Sequence, residues 1–206
     1  MIRASLPIQK KNPNFIGSYK IKPLSLCDDI ISYFENNHIR HKQGTSGSGI
    51  NLDAKNSTDI KVRPKEINQS KNKALHEYME NLASCFQSYA DDSSFLSIFK
   101  DPLQIGSFNI QRYNEGQHFK KIHSERASMS TLHRVFAWMT YLNDIDMDCG
   151  GSTYFSHYDL EIFAEKGLTM IWPAEWTHAH RGNELKIGRK YIITGWAHFA
   201  PNTNES

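Results

Sequence analysis

Cysteine is scarce. The 206-residue chain has 3, Cys27, Cys85 and Cys149, widely spaced and odd in number, so neither a disulfide framework nor a cysteine-rich zinc site assembles from them, and a reducing compartment is the simpler expectation. No stretch approaches the roughly 18 apolar residues needed to cross a bilayer, and the opening MIRASLPIQKKNPNF lacks the apolar core of a signal peptide. A cytoplasmic protein without a membrane partner is expected. Net charge is small as well: 24 Lys+Arg stand against 22 Asp+Glu, a balance of +2, which argues against nucleic-acid binding driven by overall charge. What the chain does have is apolar matter. At 39% hydrophobic and 12% aromatic against 22% charged residues, it has enough for a packed core and too much for general disorder. With no internal repeat and no dividing linker, residues 1–206 are expected to form a single domain.

The two halves differ in pattern. In LSLCDDIISYFENNH, from Leu24 to His38, Leu26, Ile30, Ile31 and Phe34 recur at helical spacing, with Asp28 and Asp29 placed early where the helix dipole favours acids. A second helical pattern runs from Lys65 to Ala90, with Leu75, Tyr78, Met79, Leu82, Cys85, Phe86 and Tyr89 on one face. Between them, Gln43 to Pro64 is rich in Gly, Ser, Asn and Asp; it reads as a loop with a short strand at Asp59 to Val62, either a tolerated insertion or a lid. After Pro102 come short apolar runs, LQIGSFNIQRY, RVFAWMTYLN, LEIF, LTMIWP and KYIITGWAHF, set apart by Gly, Asn, Asp and Pro. These predict strands. The expected architecture is α+β: a two-sheet sandwich or jelly roll over 101–200, with residues 1–100 as helical support packed on one sheet.

Two groups of histidines stand out in the β half: His123-Ser124-Glu125, and His178-Ala179-His180 within WPAEWTHAHRG. In an extended segment residues i and i+2 face the same way, so His123 and Glu125 present an imidazole and a carboxylate to one point. A second histidine from a neighbouring strand completes two His and one carboxylate on one face of a metal, the ligand set of non-haem Fe(II) oxygenases. Three features add weight. Lys190, in GRKYIITGW, is a cation entering an apolar strand, costly unless an acidic ligand pairs it. Tyr113, in QRYNEG, brings a hydroxyl to the same region, and Gly150-Gly151 permits a close backbone approach.

In the order Tyr113, His123-x-Glu125, Tyr141 to Asn143, GGSTYF, His180, GRKY and Trp196, the stretch from Gln104 to Phe199 resembles the 2-oxoglutarate- and Fe(II)-dependent dioxygenases, and among them the prolyl 4-hydroxylase-like branch. The resemblance implies a double-stranded β-helix of the jelly-roll, cupin-like kind. It implies Fe(II), held by His123, Glu125 and His180, with 2-oxoglutarate and O2 as cosubstrates and ascorbate as an accessory reductant. Lys190 would pair with the far carboxylate of 2-oxoglutarate; Tyr113, Tyr141, Thr194 and Trp196 would line the same pocket. The implied reaction is hydroxylation of an unactivated C–H bond, of a peptidyl proline, another peptide or a small molecule, with release of succinate and CO2. The family usually has H-x-D; this chain has H-x-E, which keeps the carboxylate and adds one methylene.

Some readings stay open. On a strand His178 and His180 would point the same way; the spacing to Lys190 and the following Arg-Gly favour His180 as ligand, leaving His178 behind it or facing substrate. Arg181 could reach an anionic cosubstrate or substrate, since a guanidinium suits carboxylates, but is expected first in a solvent-exposed turn. His118 and His133 read as surface or loop histidines, and Lys120, Lys121, Arg126 and Arg134 as a basic face that is either simply solvated or steers an acidic substrate. Phe136, Trp138, Tyr141, Phe155, Trp172 and Trp176 are expected mainly in the core, with Trp138 and Trp176 the two to test as substrate contacts. The competing functions are a zinc-dependent hydrolase built on the same His/Glu/His set and a catalytically silent metal-binding module. A nucleobase deaminase would need a P-C-x-x-C that is absent.

Overall fold

In the computed structural model the described residues are 14–47, 49–67, 72–92, 96, 99 and 102–200. Their strands are, in chain order, β1 (Gly17–Lys20), β2 (Lys42–Gln43), β3 (Thr58–Val62), β4 (Leu103–Ile105), β5 (Phe108–Asn114), β6 (Phe119–His123), β7 (Arg134–Tyr141), β8 (Thr153–Phe155), β9 (Leu160–Ile162), β10 (Leu168–Pro173), β11 (His180–Gly182) and β12 (Arg189–Phe199). The major sheet runs β1-β10-β7-β12-β5-β3-β2, with β4 also on β12; the minor sheet runs β6-β11-β8-β9. All pairings are antiparallel. From β5 to β12 the chain passes back and forth between the two sheets, with β8 and β9 as a pair within the minor one, which is the double-stranded β-helix.

Helix α1 (Ser25–Asn36) buries Leu26, Cys27, Ile30 and Phe34. Helix α2 is the short Pro64–Ile67, and α3 (Lys73–Asp91) buries Leu75, Tyr78, Leu82, Cys85 and Tyr89. The one long helical pattern from Lys65 to Ala90 is thus two helices, and residues 68–71 lie outside the described residues. So do residues 1–13, which carry most of the opening segment read for a signal peptide.

Two cores divide the sandwich. The helices pack on the outer face of the major sheet with Phe108, Ile110, Phe136, Trp138, Ile171 and Ile193, and Tyr78 Oη pairs with Thr140 Oγ1 at 2.7 Å across that interface. Between the sheets lie Tyr113, Met139, Tyr141, Phe155, Met170, Trp172 and Ile192. Strand β7 is buried from Phe136 to Tyr141, because one face meets helices and the other the second sheet.

Trp138 is therefore no substrate contact: it is fully buried on the helix side, tilted against Tyr78 with ring centroids 5.9 Å apart. Trp138→Ala is expected to lower stability by about 3–5 kcal/mol, read as a fall in the urea midpoint with substrate choice unchanged. A stable variant with altered substrate choice would contradict this placement. Trp176 is 68% exposed.

Candidate metal and cosubstrate site

β6 and β11 pair across the mouth of the sandwich with His123 directly opposite His180. Glu125 does not continue β6. The strand ends at His123 and Glu125 lies in the bend beyond it, so strand alternation is not what aims its side chain. Arg134 does this instead, donating from Nη1 to the Glu125 carbonyl at 2.9 Å, while Trp196 Nε1 donates to Glu125 Oε2 at 2.7 Å. The other oxygen, Oε1, faces His123 Nε2 at 3.7 Å and His180 Nε2 at 3.4 Å. Ligand atoms of all three lie within 4.8 Å of one another.

The histidines are held in a ligating tautomer. His123 Nδ1 lies 2.8 Å from the Lys121 carbonyl and His180 Nδ1 2.9 Å from the His178 carbonyl; a carbonyl only accepts, so each Nδ1 carries the hydrogen and each Nε2 offers a lone pair. Phe119 stacks on His123 at 3.9 Å, and Phe155 and Trp172 flank His180 at 5.3 and 5.1 Å. Burial and the neighbouring His180 push His123 down to about 4, so it is neutral at physiological pH. Burial works against ionisation of Glu125, but contact with His180, the nearness of His123 and the Trp196 bond outweigh it and hold the carboxyl at about 2. Lone pairs and a carboxylate thus converge on one point that only a cation relieves, and neutral imidazoles with a carboxylate suit a divalent first-row metal.

His178 is not an alternative. It ends the 3₁₀ turn Trp176–His178 before β11 begins, and its Nε2 bonds the Asn14 carbonyl at 2.7 Å. Its backbone carbonyl, not its ring, serves the site by orienting His180.

Lys190 stands in the middle of the major sheet, opposite Tyr113 in register, and is 3% exposed. Its ammonium donates to the Gly151 carbonyl at 2.6 Å and lies 4.6 Å from the Tyr113 ring centroid. Gly151 has φ +73°, and a Cβ there would meet Leu185 Cδ1 at 3.0 Å and the Lys190 side chain, so glycine allows this close approach. Among the described residues no carboxylate pairs with Lys190, and burial draws it down from 10.5 to about 7. A buried cation with one backbone acceptor fits an anionic ligand.

Tyr113 Oη donates to Gln111 Oε1 at 2.8 Å, Tyr141 Oη meets Thr153 Oγ1 at 2.6 Å, and Thr194 Oγ1 donates to the Trp138 carbonyl at 2.8 Å. The first two share the inner core; Thr194 is committed to backbone. Arg181 sits in β11, not in a turn, with its guanidinium 5.0 Å from the Tyr154 ring centroid. His118 is buried at an isolated bridge with Asn56, so it is not a surface residue; His133 is exposed. Arg126 pairs with Glu175, but Arg134 is not part of a solvated face: its guanidinium lies 3.7 Å from the Trp196 ring centroid. Sequence reasoning placed Arg134 among basic neighbours and missed its hold on Glu125. Trp196→Phe removes the bond to Oε2 and is expected to weaken Fe(II) binding roughly 10–100-fold with the fold intact, by anaerobic titration. Undiminished affinity would show that this bond does not orient the carboxylate.

A double-stranded β-helix with two histidines and a carboxylate at its mouth fits the ligand set of a non-haem Fe(II) oxygenase core. Residues 108–198 match the model of the 2OG-Fe(II) oxygenase superfamily, a family whose cofactors are Fe(II), 2-oxoglutarate and O2. Among curated proteins there is no match. Solved structures with the same fold include a viral collagen prolyl hydroxylase of Paramecium bursaria Chlorella virus-1 in its 2-oxoglutarate complex, with a TM-score of 0.67 at 16% identity, covering 90% of this chain and 97% of that one. A prolyl hydroxylase of Trichoplax adhaerens, in complex with a peptide fragment of the hypoxia inducible factor oxygen degradation domain, gives 0.73 at 12% identity, covering 90% and 84%. A Pseudomonas putida prolyl-4-hydroxylase gives 0.67 at 13%, covering 91% and 94%.

Proposed function

We propose that this oxygenase hydroxylates a peptidyl proline, with His123, Glu125 and His180 holding Fe(II) and Lys190 binding the far carboxylate of 2-oxoglutarate. The observation that carries the reading is Lys190, a buried cation without a carboxylate, on the inner face of the same sandwich whose mouth bears the His/Glu/His cluster. In the net reaction one oxygen atom of O2 enters the substrate C–H bond and the other enters succinate, while CO2 leaves. Bound Fe(II) supplies the activation of O2. The protein's part is placement. Phe119, Phe155 and Trp172 fix the imidazole planes, Trp196 fixes the carboxylate, and the buried hydroxyls of Tyr113 and Tyr141 keep the cosubstrate pocket polar while excluding bulk water. Thr194 and Trp196 wall the pocket on the strand that carries Lys190. The glutamate in place of aspartate fits this frame, since the indole N–H takes up the longer side chain's outer oxygen.

Residues 101–200 act as the catalytic core in this reading, and residues 1–100 stiffen the major sheet from outside. A peptide substrate is supported by the Trichoplax complex, whose ligand is a peptide fragment. The test is incubation with proline-containing peptides, Fe(II), 2-oxoglutarate and O2, following succinate and peptide mass. Succinate formed in step with peptides that gain one oxygen atom is expected. Succinate coupled only to a non-peptide substrate would overturn the assignment to proline.

A further inference from the structure

Outside the ligand cluster, but sharing a wall with it, lies a pocket of about 340 Å³ between β3, the β4–β5 turn, the start of β7 and the end of β12. Its lining side chains carry charge of one sign, with the Glu125 carboxylate behind Arg134 and Trp196. Lys61 and Arg134 bring permanent cations, His133 and His198 bring imidazoles with ring centroids 5.0 Å apart, and none of the lining residues is acidic. Burial and the positive neighbours His198 and Arg134 lower the pKa of His133, as a region of positive potential requires. Gly106 sits against the His198 ring, where a Cβ would come within 2.7 Å of Nε2. Arg134 Nη1 donates to the Glu125 carbonyl and lies 3.7 Å from Glu125 Oε2; its remaining N–H groups suit a second carboxylate. Trp196 forms the inner wall, one side chain from Glu125. At the small end of ligand pockets, the volume suits one side chain better than a whole ligand.

We propose that this pocket receives a carboxylate of the substrate close to the residue being hydroxylated, so that the enzyme selects acidic peptide segments. The inference rests on the reading of the protein as a peptide hydroxylase. Its test is binding of fluorescent, end-capped degenerate pentapeptide pools to the protein loaded anaerobically with Fe(II) and 2-oxoglutarate. The pools are centred on proline, with Glu or Gln fixed beside it; a third, neutral pool has a free C-terminal carboxylate. The Glu pool is expected to bind about tenfold more tightly than the Gln pool, the preference disappearing in the Lys61→Ala/His198→Ala double variant and persisting in Lys120→Ala/Lys121→Ala. Preference for the free C-terminus, lost in the same double variant, would also support the pocket and assign it to a chain end. Equal binding of all pools, or a preference that the double variant retains, would overturn the inference. Repeating the pools with alanine at the centre separates the two claims: a Glu preference that survives there upholds the pocket while refuting proline as the target.

Discussion

His180→Ala is expected to abolish Fe(II) binding, weakening it by well over ~100-fold, while His178→Ala leaves it within a few-fold of the parent. Two residues apart in sequence, these rings do opposite things. His180 begins β11 opposite His123, and its Nε2 stands 3.4 Å from Glu125 Oε1; His178 ends the preceding 3₁₀ turn with its Nε2 on the Asn14 carbonyl. Changes to groups that merely orient a ligand cost roughly 10–100-fold in metal affinity, so loss of a ligand exceeds that range. His178→Ala keeps the backbone carbonyl that orients His180 and forfeits the ring's contacts with the Asn14 carbonyl, Thr177 Oγ1 and Tyr158 Oη, each worth roughly 1 kcal/mol of stability or less. Anaerobic equilibrium dialysis with Fe(II), alongside thermal melts to establish folding, reads both variants. Fe(II) retained by a folded His180→Ala protein, or lost from His178→Ala, would contradict the assignment.

Lys190→Met should weaken 2-oxoglutarate binding about 100-fold and at the same time stabilise the protein. Desolvation lowers Lys190 from 10.5 to about 7, so below pH 7 the folded protein without cosubstrate carries a buried charge that the unfolded chain would hydrate. Between about 7 and 10.5 the folded state binds fewer protons than the unfolded state, and stability rises with pH across that window. The substitution removes the penalty, and the melting temperature of the variant should exceed the parent's most at low pH. Cosubstrate binding runs the other way. The dianion requires the ammonium form, so affinity is full below pH 7 and falls by up to about tenfold per unit above it. Calorimetric titration of 2-oxoglutarate at several pH values checks both trends. Equal affinity in Lys190→Met, or a parent affinity flat across pH 6 to 9, would remove Lys190 from the cosubstrate site.

Much of this site was legible because its chemistry is unusual in sequence: a lysine in an apolar strand, a glycine pair, and histidines spaced around a carboxylate have few structural uses. The two helical faces were legible for a simpler reason, since α1 and α3 each bury a single stripe at regular spacing. Strands β1 and β2 went unseen. They are short additions to the sheet edge, made by pairing with β10 and β3, and neither carries an apolar run. The minor-sheet strand β8 was hidden likewise, being only 3 residues long. Trp138 lies in the core as expected, but because β7 is buried on both faces its sequence does not alternate and gives no sign that it meets the helices rather than the substrate side. His178 and His180 were read as one strand because nothing local announces the turn between them. No spacing rule reveals that Lys55 and Asp59 pair at 2.8 Å, that Asp59 also accepts from Gln111 Nε2 at 3.2 Å, or that Gln111 in turn accepts from Tyr113. Those contacts join the segment 43–64 to the barrel interior, giving that Gly- and Ser-rich stretch a structural anchor that composition alone conceals. No helix of the described residues is long and apolar enough to cross a membrane.

The central claim is that one pocket holds Fe(II) through His123, Glu125 and His180 and 2-oxoglutarate through Lys190. The most direct test adds Fe(II) and then 2-oxoglutarate to metal-free protein under anaerobic conditions and records the visible spectrum of the parent, Glu125→Ala and Lys190→Ala. The weak charge-transfer band of an Fe(II)–2-oxoglutarate chelate is expected in the parent, lost in Glu125→Ala and requiring far more cosubstrate in Lys190→Ala. No band in the parent, with zinc held stoichiometrically instead, would contradict it and turn attention to hydrolysis or to metal binding without turnover.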